Sequence, residues 1–349
     1  MANAATRTVL VTGASGFIAA HVVRELLERG YRVRGSVRGN PSERRHEALT
    51  TLPGAAERLT LHRADLLDAE PWASLVRGCD AVVHAASPYT LDVRDPKRDL
   101  IDPAVAGTRH VLEAAQRAGV PRVVVTSSMA AVTDEPEPGR VYSERDWNER
   151  SNAERNPYYA SKAAAERAAW AIAAIAGESL RVVSVNPALV LGPSIGPGLN
   201  TSNAVVRDLM HGVSPALVDL QWLTVDVRDV ALVHVAALEL GEATGRYLTA
   251  GESLSMARMA RELRALGLAE GYRVPRMRLT GRVGNAMARL YARTQPPGRR
   301  SYLLTHLGRT LQADTSRVTR ELGVAYRGVR ETLRDTVLDM ERWGHLRRS

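Results

Sequence analysis

The chain has 349 residues, 45% of them hydrophobic, enough for one large core and a smaller lobe. No run approaches the roughly 18 apolar residues of a membrane helix, the stretch Met1 to Thr6 lacks an apolar secretory core, and a single cysteine, Cys79, excludes an intrachain disulfide. The net charge is +9, but arginine is usually interleaved with acids, as at Arg24-Glu25 and Arg334-Asp335; no basic stripe with aromatics suggests nucleic acid.

Apolar β-branched runs alternate with helical patterns through the first half. Thr8 to Thr12 reads as a strand, and Ser15 to Arg29 as a helix with Ile18, Val22, Val23, Leu26 and Leu27 on one side. Strands follow at Arg32 to Val37, Leu59 to Arg63 and Ala81 to His84, then a helix near Val105 to Ala118 and a strand at Val123 to Thr126. Pro157 to Ala176 is a long Ala-rich helix, and Val182 to Val185 the sixth strand. Such alternation predicts an α/β fold, a Rossmann doubly wound parallel sheet covered on both faces. After Pro187 the pattern loosens. Gly192 to Asn203 reads as loop, Val227 to Leu240 as helix, Arg246 to Thr249 as a strand, and Val329 to Trp343 as a C-terminal amphipathic helix. The expected division is a nucleotide-binding domain over 1–190, to which about 221–250 returns, and a smaller, mostly helical substrate lobe over 191–349.

The turn Gly13-Ala14-Ser15-Gly16-Phe17-Ile18 joins the first strand to the first helix. Glycines there allow a tight turn and a close approach to a pyrophosphate, and the helix N-terminus supplies N–H donors. Enzymes that take NAD place an acid after the second strand to bind the ribose 2′-OH. None occurs between Gly30 and Pro41; Ser36 and Arg38 offer a hydroxyl and a guanidinium suited to a 2′-phosphate, so NADP(H) is the expected cofactor. Asp65 and Leu66, after the third strand, are candidates for the adenine edge, and Asp65 equally for a helix N-cap.

Tyr158 and Lys162 lie four apart on one helix face. A neighbouring ammonium favours phenolate, so such a tyrosine can deliver a proton to a carbonyl oxygen as hydride reaches carbon. Only Lys97 and Lys162 are lysines among 47 basic residues, which makes a lysine at this position informative. Ser127-Ser128 follows the fifth strand, where doubly wound sheets bind ligands, and a hydroxyl there can bond the carbonyl.

With these motifs the chain resembles the extended short-chain dehydrogenases/reductases, in the dihydroflavonol-reductase-like and microbial aldehyde and ketone reductase branch. The resemblance rests on Val11 through Ala19, His84-Ala85-Ala86-Ser87-Pro88, Val125-Thr126-Ser127-Ser128, Tyr158 through Lys162, Asn186 through Pro193, Asp226 through Ala231, and Gly245-Arg246-Tyr247. It implies that Ser128 polarises the carbonyl, Tyr158 donates the proton, and Lys162 tunes Tyr158 and binds ribose. It also implies cofactor contacts at Ala85, Ala86, Ser87, Thr126, Pro187 and Ser202, and substrate contacts at Tyr89, Met129 and Thr133. Thr133 stands where plant dihydroflavonol reductases carry Asn, and the cinnamoyl-CoA reductase signature around the tyrosine is absent. Trp147-Asn148 and the stretch Ala164 to Trp170 look more like the microbial reductases, and His110 stands where the family often has Asn.

The expected activity is NADPH-dependent reduction of an aldehyde or ketone, reversible as alcohol oxidation. Two alternatives stay open: an NAD-dependent nucleotide-sugar epimerase or dehydratase, and a non-catalytic NADP(H) sensor. Dehydratases carry Thr-Asp-Glu directly after the fifth strand; Thr133-Asp134-Glu135 comes about five residues too late to align and reads as coincidence. The expected partner is a small carbonyl or alcohol, with no metal, nucleic acid or membrane, in a cytoplasmic monomer or homodimer.

Overall fold

A computed structural model describes residues 7–88 and 94–348. In chain order the elements begin with β1 (Thr8–Thr12), α1 (Phe17–Glu28), β2 (Arg32–Val37), α2 (Glu47–Thr50), α3 (Ala55–Arg58), β3 (Leu59–Arg63), α4 (Glu70–Leu75) and β4 (Ala81–His84). Then come α5 (Asp102–Arg117), β5 (Arg122–Thr126), β6 (Val141–Tyr142), α6 (Pro157–Ala176), β7 (Arg181–Pro187), β8 (Leu189–Leu191), α7 (Thr201–Met210) and β9 (Leu217–Val218). The rest are β10 (Gln221–Asp226), α8 (Val227–Glu239), β11 (Gly245–Thr249), β12 (Ser253–Ser255), α9 (Met256–Ala265), β13 (Arg278–Leu279), α10 (Gly281–Ala292), α11 (Pro297–His306), β14 (Gln312–Ala313), α12 (Ser316–Leu322) and α13 (Val329–Arg342).

The main sheet is parallel, seven-stranded and ordered β3-β2-β1-β4-β5-β7-β11. Strand order reverses between β1 and β4, and the carboxyl ends of those strands flank the crevice where such sheets bind ligands. Alternating side chains feed two cores. Val9 and Val11 of β1 pack with α1 and α8 on one face, while Leu10 packs with Trp72, α5 and α6 on the other. Strands buried on both sides explain why the sequence shows continuous apolar runs there.

Within 221–250, only β11 enters the main sheet, paired with β7. β10 instead runs between β8 and β12 in a separate three-stranded sheet. That sheet, with α7, α9 and α13, surrounds a third core around Leu209, Met259, Leu333 and Val337. The end of the expected loop over Gly192 to Asn203 is already helical, because the Asn200 side chain accepts from the Asn203 N–H (2.8 Å) and starts α7 at Thr201. No helix among the described residues is long and apolar enough to cross a membrane.

Candidate active site

The glycine turn is crowded at both of its glycines. Gly13 has φ +63°, and a Cβ there would come within 2.9 Å of Ala86 Cβ. A Cβ on Gly16 would sit 3.1 Å from the Gly13 carbonyl, which already accepts from the Gly16 N–H at 2.8 Å. Gly16 precedes α1 with no side-chain cap and no acid in the first turn, so the helix N-terminus faces the crevice with its N–H donors and positive dipole end. Ser15 is exposed, and Phe17 and Ile18 are half-buried.

Ser36 lies differently from its expected role. It is buried at the end of β2, and its Oγ accepts from the Gly13 N–H at 3.0 Å while its carbonyl accepts from the Ala14 N–H at 2.8 Å. It therefore ties the glycine turn to β2, and the 2′-phosphate reading falls mainly on Arg38, which is exposed just beyond the strand. Asp65 is exposed, and its Oδ1 accepts from the Leu67 N–H (2.9 Å) in a short turn ahead of α4. His110 Nδ1 donates to the Leu66 carbonyl (2.8 Å), which gives that histidine a place: it anchors the segment after β3.

At the end of β4, the Ala86 N–H donates to the Thr12 hydroxyl oxygen at 3.0 Å, and that hydroxyl lies 3.0 Å from His84 Nδ1. The Thr108 hydroxyl spends its proton on the Ala104 carbonyl (2.8 Å), so it accepts from His84 Nε2–H, leaving Nδ1 to accept from Thr12. Burial, reinforced by the Lys162 charge, holds His84 neutral, with its pKa down at about 3. A similar tie fixes Thr126: it donates to His234 Nε2 at 2.7 Å, while His234 Nδ1–H donates to the Val230 carbonyl at 2.7 Å. Burial lowers His234 to about 4, so it too stays neutral.

Lys162 is buried in α6 and lines one small cavity with Ala86, Ser87, Thr126 and Glu166. Desolvation lowers its pKa to about 8, and the charge of Glu166 opposes that shift. Glu166 is a hub. Its carboxylate accepts from the Ser127 hydroxyl (2.7 Å), the Asn186 side chain (2.8 Å), Arg246 Nε (2.7 Å) and the Trp170 indole (3.3 Å). Asn186 also donates to the Ser128 carbonyl (3.2 Å), and the Arg246 guanidinium stacks 4.0 Å from the Trp147 ring. Ser128 is half-buried; its Oγ accepts from the Ala130 N–H at 3.1 Å, which leaves its own proton free to donate.

Tyr158 is half-buried in the first turn of α6. Asn156, just before that helix, has φ 47°, the only positive φ outside glycine among the described residues. It is held there by α11: its N–H donates to Ser301 Oγ (3.0 Å) and its side chain to Thr305 Oγ1 (3.1 Å). Tyr159 points to α11, with its Oη 3.2 Å from His306 Nε2. Asp134 and Glu135, the late acidic pair, engage Arg155 at 2.9 and 2.5 Å and are part of this bracing.

Thr126, Ser87, Ala86 and Lys162 thus meet at one cavity, with Gly13 against Ala86. Pro187 ends β7 and is buried, while Ser202 lies in the first turn of α7, outside that cluster. Met129 is packed among Val132, Tyr142, Leu223 and Leu248, and Thr133 is buried. Tyr89 lies outside the described residues. Sequence reasoning missed Thr12, Asn156, Glu166, His234 and Arg246. For Glu166 a signal existed: it is the sole acid in an Ala-rich helix, four residues past Lys162.

Residues 9–250 match the model of the NAD dependent epimerase/dehydratase family. The chain is 36% identical over 350 residues to "Cinnamoyl-CoA reductase 1" of Arabidopsis thaliana, covering 99% of this chain and 92% of that protein. It is 42% identical over 246 residues to "Cinnamoyl-CoA reductase 2" of Medicago truncatula, 69% of this chain and 71% of that one. Among solved structures it resembles yeast methylglyoxal/isovaleraldehyde reductase Gre2 complexed with NADPH, with TM-score 0.77 and 27% identity across 97% of this chain and 100% of that one. The likeness to cinnamoyl-CoA reductases spans nearly the whole chain.

Proposed function

The chain belongs to the NAD dependent epimerase/dehydratase family, the extended short-chain dehydrogenases/reductases, and from that premise we propose that it is an NADPH-dependent reductase of aldehyde or ketone carbonyls, reversible as an alcohol dehydrogenase. The observation that carries this reading is the buried Lys162, one helical turn from Tyr158, sharing a cavity with the ends of β4 and β5.

The residues present fit the cofactor. The crowded Gly13–Gly16 turn, with Ser15, Phe17 and Ile18 at the α1 N-terminus, holds the pyrophosphate. Arg38 would take the 2′-phosphate, with Ser36 bracing the turn beside it, and Asp65 and Leu66 would border the adenine. Ala86, Ser87, Lys162 and Thr126, which share the cavity, would hold the ribose and nicotinamide, with Ala85 and Pro187 at the neighbouring strand ends; Ser202, outside that cluster, would reach the nicotinamide end only from α7. When bound, NADPH supplies hydride to the carbonyl carbon. Ser128, whose Oγ accepts from the Ala130 N–H, keeps its proton and hydrogen-bonds the carbonyl oxygen with it, polarising the carbonyl. Tyr158 gives that oxygen its proton, and the Lys162 charge makes the phenol a better acid. The lobe around α7, α9 and α13 is assigned to the substrate, with Tyr89, Met129 and Thr133 as candidate contacts.

A second reading, reduction of an acyl-CoA thioester, is favoured by the near full-length likeness to cinnamoyl-CoA reductases. The test is NADPH oxidation with a panel of aldehydes, ketones, 1,2-diketones and one acyl-CoA thioester. Turnover of free carbonyls is expected. Turnover of the thioester alone replaces the first reading with the second, and a protein that binds NADPH but reduces nothing is a sensor.

A further inference from the structure

The basic excess of this chain has an address. Residues 271–313 hold nine arginines, from Arg273 to Arg309, and no Asp, Glu or Lys. Removing these nine from the 47 basic residues leaves 38, equal to the 38 acidic ones, so the segment accounts for the whole net charge of +9. Only Arg309 has a carboxylate partner among the described residues, Glu135 at 2.5 Å. Arg276, Arg278, Arg282 and Arg293 are exposed without one.

The same segment holds six of the twelve large hydrophobic side chains that are exposed among the described residues. Four form a stripe on α10: Val283 (76% exposed), Met287 (54%), Leu290 (65%) and Tyr291 (54%). The opposite side of α10 is small and buried, at Gly284, Ala288 and Ala292. Small residues let the helix lie flat on the body while its larger apolar side chains point to solvent.

We propose that this face of α10, with the arginines around it, docks on an anionic lipid surface. Charge complementarity decides among occupants. A second copy would bring nine more arginines and no acid to meet them. A protein partner is met by an apolar core inside a charged rim. Here the two kinds alternate, as Arg276-Met277-Arg278, Arg282-Val283 and Arg289-Leu290. That mixture suits a bilayer interface, where apolar side chains enter the acyl boundary and guanidiniums reach phosphates at the same depth. The contact is peripheral, since no described helix can span. The docked face also lies near the candidate site, because α11, next along the chain, seats Tyr302 and His306 against Tyr159.

The test uses the full chain with sedimenting vesicles of phosphatidylglycerol and phosphatidylcholine in equal parts, or of phosphatidylcholine alone. Partition onto the anionic vesicles should be at least ~10-fold stronger and should fall steeply at ~0.5 M salt. Val283→Ser with Leu290→Ser keeps every charge, and Arg282→Gln with Arg293→Gln keeps every apolar group. Each pair should weaken binding about 10-fold. These positions are exposed, and the wild-type comparison alone remains decisive if a variant folds poorly. Equal or no binding to the two vesicles overturns the proposal. So does wild-type binding by the serine pair, which reduces the effect to charge adsorption. Polyglutamate that outcompetes the vesicles points to an acidic protein instead, and a dimer abolished by Leu290→Ser points to a second copy; either result also overturns it.

Discussion

The ends of β4 and β5 and the segment 271–313 treat polar groups in opposite ways. At the strand ends nearly every polar side chain has a fixed partner inside the protein: Thr12 with His84, Thr126 with His234, and Ser127, Asn186 and Arg246 with Glu166. In the later segment every arginine but Arg309 lacks a carboxylate partner among the described residues, and six large apolar groups face water. Partners satisfied within the fold hold a site in one geometry before a ligand arrives. Groups left unsatisfied are available to something outside. If that contrast is right, changes at the strand ends alter chemistry and stability together.

The largest expected effect is Tyr158→Phe. Loss of the proposed proton donor should cost about 10²- to 10⁴-fold in turnover while NADPH affinity stays near wild type. Tyr159→Phe is the control, because its phenol meets His306 of α11; it should stay within a few fold. Stopped-flow reduction and fluorescence titration of NADPH measure both. Equal losses in the two variants would remove Tyr158 from its proposed role.

Glu166→Gln comes next. It leaves the buried Arg246 guanidinium without its carboxylate, and breaking such a pair costs roughly 3–5 kcal/mol. It also removes the charge that holds the Lys162 pKa up, so Lys162 loses its proton at lower pH than its present value of about 8. The alkaline fall in turnover should therefore move to lower pH. Glu166→Leu with Arg246→Met separates the two roles. Apolar replacement of the pair should restore stability, read by urea unfolding, without restoring the alkaline limb. A limb that returns with stability would make Glu166 structural only.

The sheet was legible in the sequence because strands buried on both faces leave continuous apolar runs, and Arg32–Val37, Leu59–Arg63 and Ala81–His84 coincide with the reading from sequence. The three-stranded sheet was not: β8 and β12 have three residues each, too short for periodicity, and β10 looked like part of the returning segment. Motif spacing suggested Tyr158, Lys162 and Ser128, but Glu166 and His234 act through contacts 39 and 108 residues away in sequence, which no local pattern encodes. Ser36 shows the converse, since a hydroxyl in the right motif turned inward to the Gly13 N–H. The Arg-rich character of the chain from Met256 onward is plain in the sequence; what interleaving elsewhere masks is that 271–313 holds no acid at all. Arg38 is thereby left as the main proposed ligand for a 2′-phosphate. Arg38→Glu should weaken NADPH binding by about tenfold or more, the worth of a charge-assisted hydrogen bond of roughly 1.5–3 kcal/mol, and leave NADH less affected. Equal losses for both cofactors would mean that Arg38 does not read the phosphate.

The smallest effect tests the histidine ties. His234 accepts from Thr126 only while neutral, and burial lowers its pKa from 6.5 to about 4; His84 lies at about 3, and His21 and His306 at about 4. Between pH 6.5 and about 4 the unfolded chain therefore binds protons at these rings that the folded chain refuses. The state that binds more protons gains as pH falls, so folding stability must drop with acidification through this window. Each histidine adds a slope of up to about 1.4 kcal/mol per pH unit. Carboxylates add their own slope at the acid end, so the comparison is best made between pH 6.5 and 5 with His234→Gln. Glutamine keeps an acceptor for Thr126 but cannot titrate. The variant should lose less stability than wild type over that interval, by about 1 kcal/mol or a little more, while remaining close to it at pH 7. Equal slopes in urea unfolding at the two ends of the window would mean that His234 is not held neutral by the fold, and the hydrogen bond assigned to Thr126 would have to run the other way.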